Sequence, residues 1–594
     1  MAVAVGAVAG IGAIVFDAAS QAVRYVALES IAGYVPIEPA GESRIIPAKT
    51  HTSVAPVKLI AVMAVGGLLS GLIVLRFAPE AEGHGTDAAI AAFHHKRGYI
   101  RPIVPPIKLI SSALTIGTGG SGGREGPITQ IGAGFGSLLA TLAKLPARDR
   151  RILSAVGMSA GIGAIFRVPL AGALFAAEIL YKSADLEADV IVPAAVASTV
   201  SYSIFSFWLP TEIRFMPLFG KQLQFQMSSA MELLPMTILA FVLVAAAVLF
   251  IKVFYGLHRW FKVSKIPAWL RPVLGASLAG VFGLILYWSQ HNDAHALGVL
   301  ATGYGVLQIA LTEPASLGWG LLAALAIFKI LTTSMTISSG GSGGIFGPSM
   351  VIGGFTGAAV GLVLHHFWPS LVPQPQIFAI VGMAGFFAGA ARAPISTIIL
   401  VGEMTGDYAL LLPTMWVSTL CFVLCHKWTL YDEQLPSRLD SPAHRGDFLV
   451  DVLEGITVAD VKLEERTPVF QGMPLGEIVQ LVAASHQNYF PVVDAAGGLV
   501  GIFTSDDVRS HLFNDVVWQL ANARDIMATR IISVTPEDDL NTALRKFTEL
   551  NLDELPVIDP NNSARLLGML RRHDVIGRYN KKLSEYHQET AIHS

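Results

Sequence analysis

The pentapeptide Gly-Gly-Ser-Gly-Gly occurs twice in this chain, at 119–123 and at 340–344, and the likeness continues beyond it. Each copy runs through a four-residue turn ending in Gly-Pro, REGP at 124–127 and IFGP at 345–348. Each then enters an apolar glycine-rich run, ITQIGAGFGS in the first copy and SMVIGGFTGA in the second, at an offset of 221 residues. A second block repeats at an offset of 225: VGMSAGIGAIFRVPLAGALFAAEI from Val156 matches VGMAGFFAGAARAPISTIILVGEM from Val381, pairing Arg167 with Arg392, Pro169 with Pro394 and Glu178 with Glu403. Two blocks in one order at nearly one spacing mean two related halves. The alignment alone leaves open whether the halves run parallel or inverted.

Both halves are too apolar for water. Of 594 residues 53% are hydrophobic and 14% charged, against about a quarter charged in ordinary soluble domains. Val57 to Phe77, Leu233 to Val253, Pro272 to Trp288 and Leu317 to Ile337 each have the apolar length of a spanning helix. The N-terminal stretch MAVAVGAVAGIGAIVF lacks the basic start of a secretory signal and is expected to be a retained membrane helix. A net charge of −3 implies no nucleic-acid partner, and the basic clusters at Lys96, Arg97 and Arg101 and at Arg148, Arg150 and Arg151 suit loops that set membrane orientation. Cys421 and Cys425, four apart in an apolar helix, read as small apolar fillers.

Gly and Pro recur where they would interrupt straight helices, and broken backbone at membrane depth survives only where protein or a water-filled cavity covers it. Glycine-rich turns with Pro just inside the next helix suit helix N-termini. The free N–H groups and positive dipole end there stabilise an anion by roughly 0.3 to 2 kcal/mol per helix. One such start from each half, with a third in EGHGTDAAI at 82–90, would together hold one dehydrated anion; the alternative is that these glycines only let helices pack closely. Glu125 stands among the same donors. Either it competes with the anion for them and gates the site, or it pairs with adjacent Arg124.

GREGP at 123–127, GIFGP at 344–348, PEAEGHG at 79–85, RVPLAGALFAAE at 167–178 and RAPISTIILVGEMTG at 392–406 together resemble the CLC family of chloride channels and chloride/proton antiporters. The resemblance implies an all-α membrane fold of two inverted-repeat halves of broken and tilted helices, a homodimer with one pore per subunit, and chloride or a similar monovalent anion as ligand. It implies that Glu125 is the gating glutamate. Anion contacts are implied at His84, Gly85, Arg124, Gly126, the backbone amides of Ile345 and Phe346, and the hydroxyl of Tyr431; without the resemblance Tyr431 would read as an interfacial aromatic. Two departures stand out. GHGTD replaces the usual GSGIP, putting His84 at the serine position and Asp87 at the proline, so that an imidazole either donates to the anion or turns to a backbone carbonyl. Ile179 stands where antiporters usually carry a second glutamate. That points to a voltage- or pH-gated channel, with an antiporter as the alternative. Glu178, one residue away, would serve a proton path only if water reaches it, and otherwise is a helix-end or packing carboxylate.

Beyond Tyr431 the charge density rises, and YDEQLPSRLDSPAHRGD reads as a linker. The tail repeats a strand, turn, strand, helix unit, YFPVVDAAGGLVGIFTSDDV from Tyr489 and ELPVIDPNNSARLLGMLRRHDV from Glu554, each preceded by an amphipathic helix (475–484 and 540–550). These units resemble a pair of CBS domains, an α/β module that the resemblance places in the cytoplasm and that can bind adenine nucleotides. GIFTSDD fits its hydroxyl-and-aspartate pattern with Thr504 and Asp507, whereas GMLRRHD has Arg571 for the hydroxyl and keeps only Asp574. The other reading is a tail that only stabilises a dimer. The expected domains are 1–431 in the membrane, 432–455 as linker, and CBS modules at 456–515 and 524–582. A bacterial inner membrane is the expected location, and no cofactor or metal is required. A CBS-regulated cation transporter would need several carboxylates facing a pore, which the membrane part does not offer. HExxH and P-loop motifs, which would suggest an enzyme, do not occur, and the GxSxG spacing is met only within glycine-rich apolar runs such as the two Gly-Gly-Ser-Gly-Gly repeats, without the strand-turn-helix setting of a nucleophile elbow.

Overall fold

The computed structural model describes every residue except 48–52, 221–224, 226, 228, 445–452, 454, 512–519 and 594. The chain divides into two compact units, Met1–Ala443 and His444–Ser594.

Among the described residues of the first unit, seven helices are long and apolar enough to cross a membrane, including Pro56–Phe77, Arg271–Ser289, Pro314–Ser338 and Phe346–Phe367. Shorter apolar helices lie between and after them, such as Val104–Gly117, Pro169–Glu178, Gln376–Ala391 and Pro394–Thr405. Their ends fall where the sequence punctuates. Arg167 and Arg392, matched at offset 225, both adopt the left-handed conformation (φ 61° and 60°) that ends a helix, and Pro169 and Pro394 each open the next.

The two halves meet through contacts that repeat reciprocally. Gly123 N–H donates to Gly344 O and Gly344 N–H donates to Gly123 O, both at 2.7 Å, in an antiparallel bridge between equivalent residues. Ser112 Oγ lies 2.8 Å from Ser342 Oγ, and the matching pair, Ser121 Oγ and Thr333 Oγ1, lies at 2.9 Å. Such exchange of partners requires a local two-fold axis between Gly123 and Gly344, which relates one half to the other. The hydroxyls satisfy one another where water is scarce. The helix starts are crossed as well. The Glu178 carboxylate accepts the N–H groups of Ile395 (2.9 Å) and Ser396 (2.7 Å), and Glu403, its partner at offset 225, accepts those of Leu170 (3.2 Å) and Ala171 (2.8 Å).

The stretch expected as a linker is only partly one. Residues 432–443 pack into the membrane unit: Gln434 Nε2 donates to the carbonyls of Ile179 and Ala391, Lys182 N–H donates to Leu435 O, and Arg438 N–H donates to Asp185. Polar residues are anchored here because they satisfy carbonyls left open at helix ends. Residues 445–452 and 454 of that expected linker, and 512–515 of the first expected CBS module, lie outside the described residues.

In the second unit β1 (Val469–Phe470), β2 (Tyr489–Val493) and β3 (Leu499–Thr504) form one sheet, and β4 (Glu554–Asp559) and β5 (Asn562–Arg571) form another. Helices Leu475–Ala484 and Leu540–Leu550 stand at the expected positions. The two cores exchange segments. Leu453, Ile456, Val458 and Val461 pack with Val534, Phe547, Leu555 and Leu570 of the second module, while Ala523 packs with Val469, Phe490 and Phe503 of the first.

Candidate functional site

Three helix starts converge at the two-fold axis. Helix Glu125–Leu142 follows Gly123, helix Phe346–Phe367 follows Gly344, and helix Thr86–His95 follows the turn Gly83-His84-Gly85. None has a side-chain cap, and their first helical bonds begin at Ile128 N–H to Arg124 O, Ser349 N–H to Ile345 O and Ala89 N–H to Gly85 O. The amides before those bonds, Ile345 and Phe346 among them, are therefore unclaimed by their own helices. Glycine is required for this approach: a β-carbon on Gly126 would collide with the carbonyl of His84, and one on Gly123 with the Glu125 carboxylate. Phe346 is clamped by Phe166, Phe175 and Phe387, with ring centres 4.9, 5.4 and 4.1 Å away, which holds its amide in place.

Glu125 is fully buried. Its carboxylate accepts the Gly347 N–H at 3.3 Å and the hydroxyl of Tyr304, so it occupies donors at the start of the opposite half's helix. Tyr304 is a residue the motifs did not single out, yet the signal was there. Gly303-Tyr304-Gly305 repeats Gly83-His84-Gly85 at an offset of 220, making Tyr304 the counterpart of His84. The two turns are held alike. Buried Lys108 donates to the carbonyls of Ala81 (2.9 Å) and Gly83 (2.7 Å), and its equivalent at offset 221, buried Lys329, donates to those of Val299 (3.3 Å) and Ala301 (2.8 Å). Each lysine thus commits its Nζ donors to backbone carbonyls in or just before a glycine turn and ties that segment down beside the convergence point.

At one end of the site Tyr431 is buried 5.6 Å, ring to ring, from His84. The Tyr431 hydroxyl and the His84 Nδ1 have no hydrogen-bond partner among the described residues, while His84 Nε2 lies 3.1 Å from Asp87 Oδ2. At the other end Arg124 is neither free nor paired with Glu125. Its guanidinium meets Asp17 at 2.8 Å and also Glu42, from a segment after the first helix that the sequence reading did not connect to it. Glu178 stands apart from this cluster, all of its hydrogen bonds going to Ile395 and Ser396.

In the tail, Thr504 Oγ1 and N–H both donate to Asp507 Oδ2 at 2.7 Å, a closed turn at the end of β3. At the equivalent place Arg571 holds Asp574 through two contacts of 2.6 and 3.0 Å, and that guanidinium keeps the Asp574 carboxyl below the ordinary carboxylate range. No group of three or more His, Cys, Asp or Glu able to hold a metal occurs among the described residues.

Two-fold-related halves that bury uncapped helix starts, a carboxylate, an unpartnered hydroxyl and an imidazole with one open nitrogen define a membrane transport protein for anions. A family model described as voltage gated chloride channel matches residues 66–426, and the CBS domain model matches 458–514 and 523–581. The chain belongs to the CLC family of anion-transport proteins and carries a C-terminal CBS pair. It is 30% identical over 509 residues to a protein of Arabidopsis thaliana named chloride channel protein CLC-f, covering 76% of this chain and 61% of that one. It is also 30% identical over 426 residues to the H(+)/Cl(-) exchange transporter ClcA of Yersinia pestis bv. Antiqua (strain Angola), covering 70% of this chain and 81% of the other. A slow cyanobacterial Cl-/H+ antiporter superposes with a TM-score of 0.60 at 23% identity over 72% of this chain and 93% of that one. A eukaryotic CLC transporter does so at 0.56 and 17%, covering 96% and 97%.

Proposed function

We propose that this chain exchanges chloride for protons across the membrane, with Glu125 both blocking the anion and carrying the proton. The observation that carries this reading is the position of the Glu125 carboxylate, buried and accepting the Gly347 N–H and the Tyr304 hydroxyl where the two halves meet. An ionised carboxylate among donors suited to an anion leaves when it takes up a proton or when an anion replaces it. Protonation and anion passage are thereby linked. The names of the Yersinia relatives, H(+)/Cl(-) exchange transporters, support exchange over the gated channel to which Ile179 pointed. Ile179, and the engagement of Glu178 as a helix cap, still favour the channel as the second reading, because neither offers a relay beyond Glu125.

In this reading the anion sits between the amides of Ile345 and Phe346, the Tyr431 hydroxyl and His84, beside Gly85 and Gly126. Arg124 shapes the potential at the far end together with Asp17 and Glu42. We further propose a homodimer, with the CBS pair in the cytoplasm. The test is chloride efflux from liposomes holding the purified protein, with proton movement recorded in the same sample. Uphill proton movement driven by a chloride gradient is expected, and Glu125→Ala should abolish it while chloride still flows. Chloride flux in the parent protein without any proton movement would make the chain a channel.

A further inference from the structure

We propose that His84 and Asp87 form a protonation site that controls anion binding at the end of the pathway from which the chain leaves the membrane unit, a proposal that rests on the anion-transport reading above. The His84 side chain is nine-tenths buried at the start of helix Thr86–His95. Its Nδ1 and the hydroxyl of the adjacent Tyr431, contributed from the other end of the membrane unit's sequence, both lack a partner among the described residues. Two orphaned buried polar atoms facing one helix start point to a ligand.

The proton arithmetic follows from Asp87. Its carboxylate lies 3.1 Å from His84 Nε2 and also accepts the N–H groups of Asp432 and Glu433 at 3.3 and 3.4 Å. A neutral imidazole has one N–H, and the carboxylate holds it at Nε2, so Nδ1 presents a lone pair. An anion placed there meets that lone pair and the charges of Asp87 and Asp432. The other groups around the ring do not relieve this. The hydroxyls of Tyr431 and Tyr255 are uncharged, Tyr255 donates to Leu430 O, Lys108 is committed to Ala81 and Gly83, and Lys182 acts on Asp432 rather than on the ring. Proton uptake by His84 turns Nδ1 into a donor and cancels the charge of Asp87. One small monovalent anion and one proton then bind together, and each promotes the other.

The test is calorimetric titration of chloride into the purified full-length Glu125→Gln protein between about pH 5.5 and 8.5, a span that brackets the imidazole range. The glutamine removes the competing titration of the gate. Chloride affinity should fall by about tenfold per pH unit once the ring has lost its proton. His84→Gln in the same background should flatten that dependence. Titrations in two buffers of different ionisation enthalpy count the protons taken up with each chloride, with no change at His84 or Asp87. Above the fall in affinity the count should approach one. A slope that survives His84→Gln, or a count of zero, overturns the proposal. If the Glu125→Gln protein binds no chloride at any pH, the anion reading of the site fails instead.

Discussion

Replacing Tyr304 by phenylalanine removes one hydroxyl and leaves the buried ring against Phe166 and Phe219. The hydroxyl is one of two donors that hold the Glu125 carboxylate in place, so its loss shifts the competition towards the anion by about 1.5 to 3 kcal/mol, the range for a hydrogen bond to a charged group. Tyr304→Phe is expected to raise chloride flux at neutral pH roughly tenfold or more and to weaken its rise on acidification, measured by liposome efflux. Unchanged flux would mean that the hydroxyl is not part of the latch. Glu125 was legible from its motif. Tyr304 was not, because its contact spans 179 positions and only the offset-220 match of two Gly-X-Gly turns hints at it.

At the scale of elements, the reciprocal caps explain why each half needs the other. Glu178 and Glu403 each neutralise the dipole of the opposing half's helix start, and exchange of either for glutamine keeps the shape but loses the charge. Glu178→Gln should lower stability by about 1 to 2 kcal/mol and Glu403→Gln by less, because Glu403 is only partly buried; melting temperatures in detergent will show the order. The number of protons moved per chloride should be the same in Glu178→Gln as in the parent, whereas a proton-path role would change it. In the tail, Arg571 already occupies both oxygens of Asp574, while Asp507 is held by its own turn. Adenine nucleotide is therefore expected to bind at the Thr504 pattern alone. Titration into the full-length protein should show binding that Thr504→Ala abolishes and Asp574→Asn leaves intact.

For the whole molecule, Met1–Ala443 is a compact unit that includes the segment 432–443, whose backbone and side chains satisfy carbonyls at the ends of membrane helices. A chain ending after Ala443 should remain folded in detergent and carry chloride in liposomes, whereas one ending after Leu430 should not fold, since it loses Tyr431 and the Gln434 anchor. Gel filtration and efflux distinguish the two.

By itself the sequence determined the membrane class, the two related halves, the helix starts at Gly-Pro turns and the CBS pair, because apolar length, glycine and proline act locally and repeat audibly along a chain. The tertiary structure alone decided the two-fold relation of the halves, read from the Gly123 and Gly344 exchange, and the partners of charged groups. Arg124 met Asp17 and Glu42 rather than Glu125, Glu178 capped a helix 217 positions away, and His84 turned one nitrogen to Asp87 and left the other open. Where water is scarce, every buried charge must find a partner wherever the fold brings one, and that choice is not written in neighbouring residues.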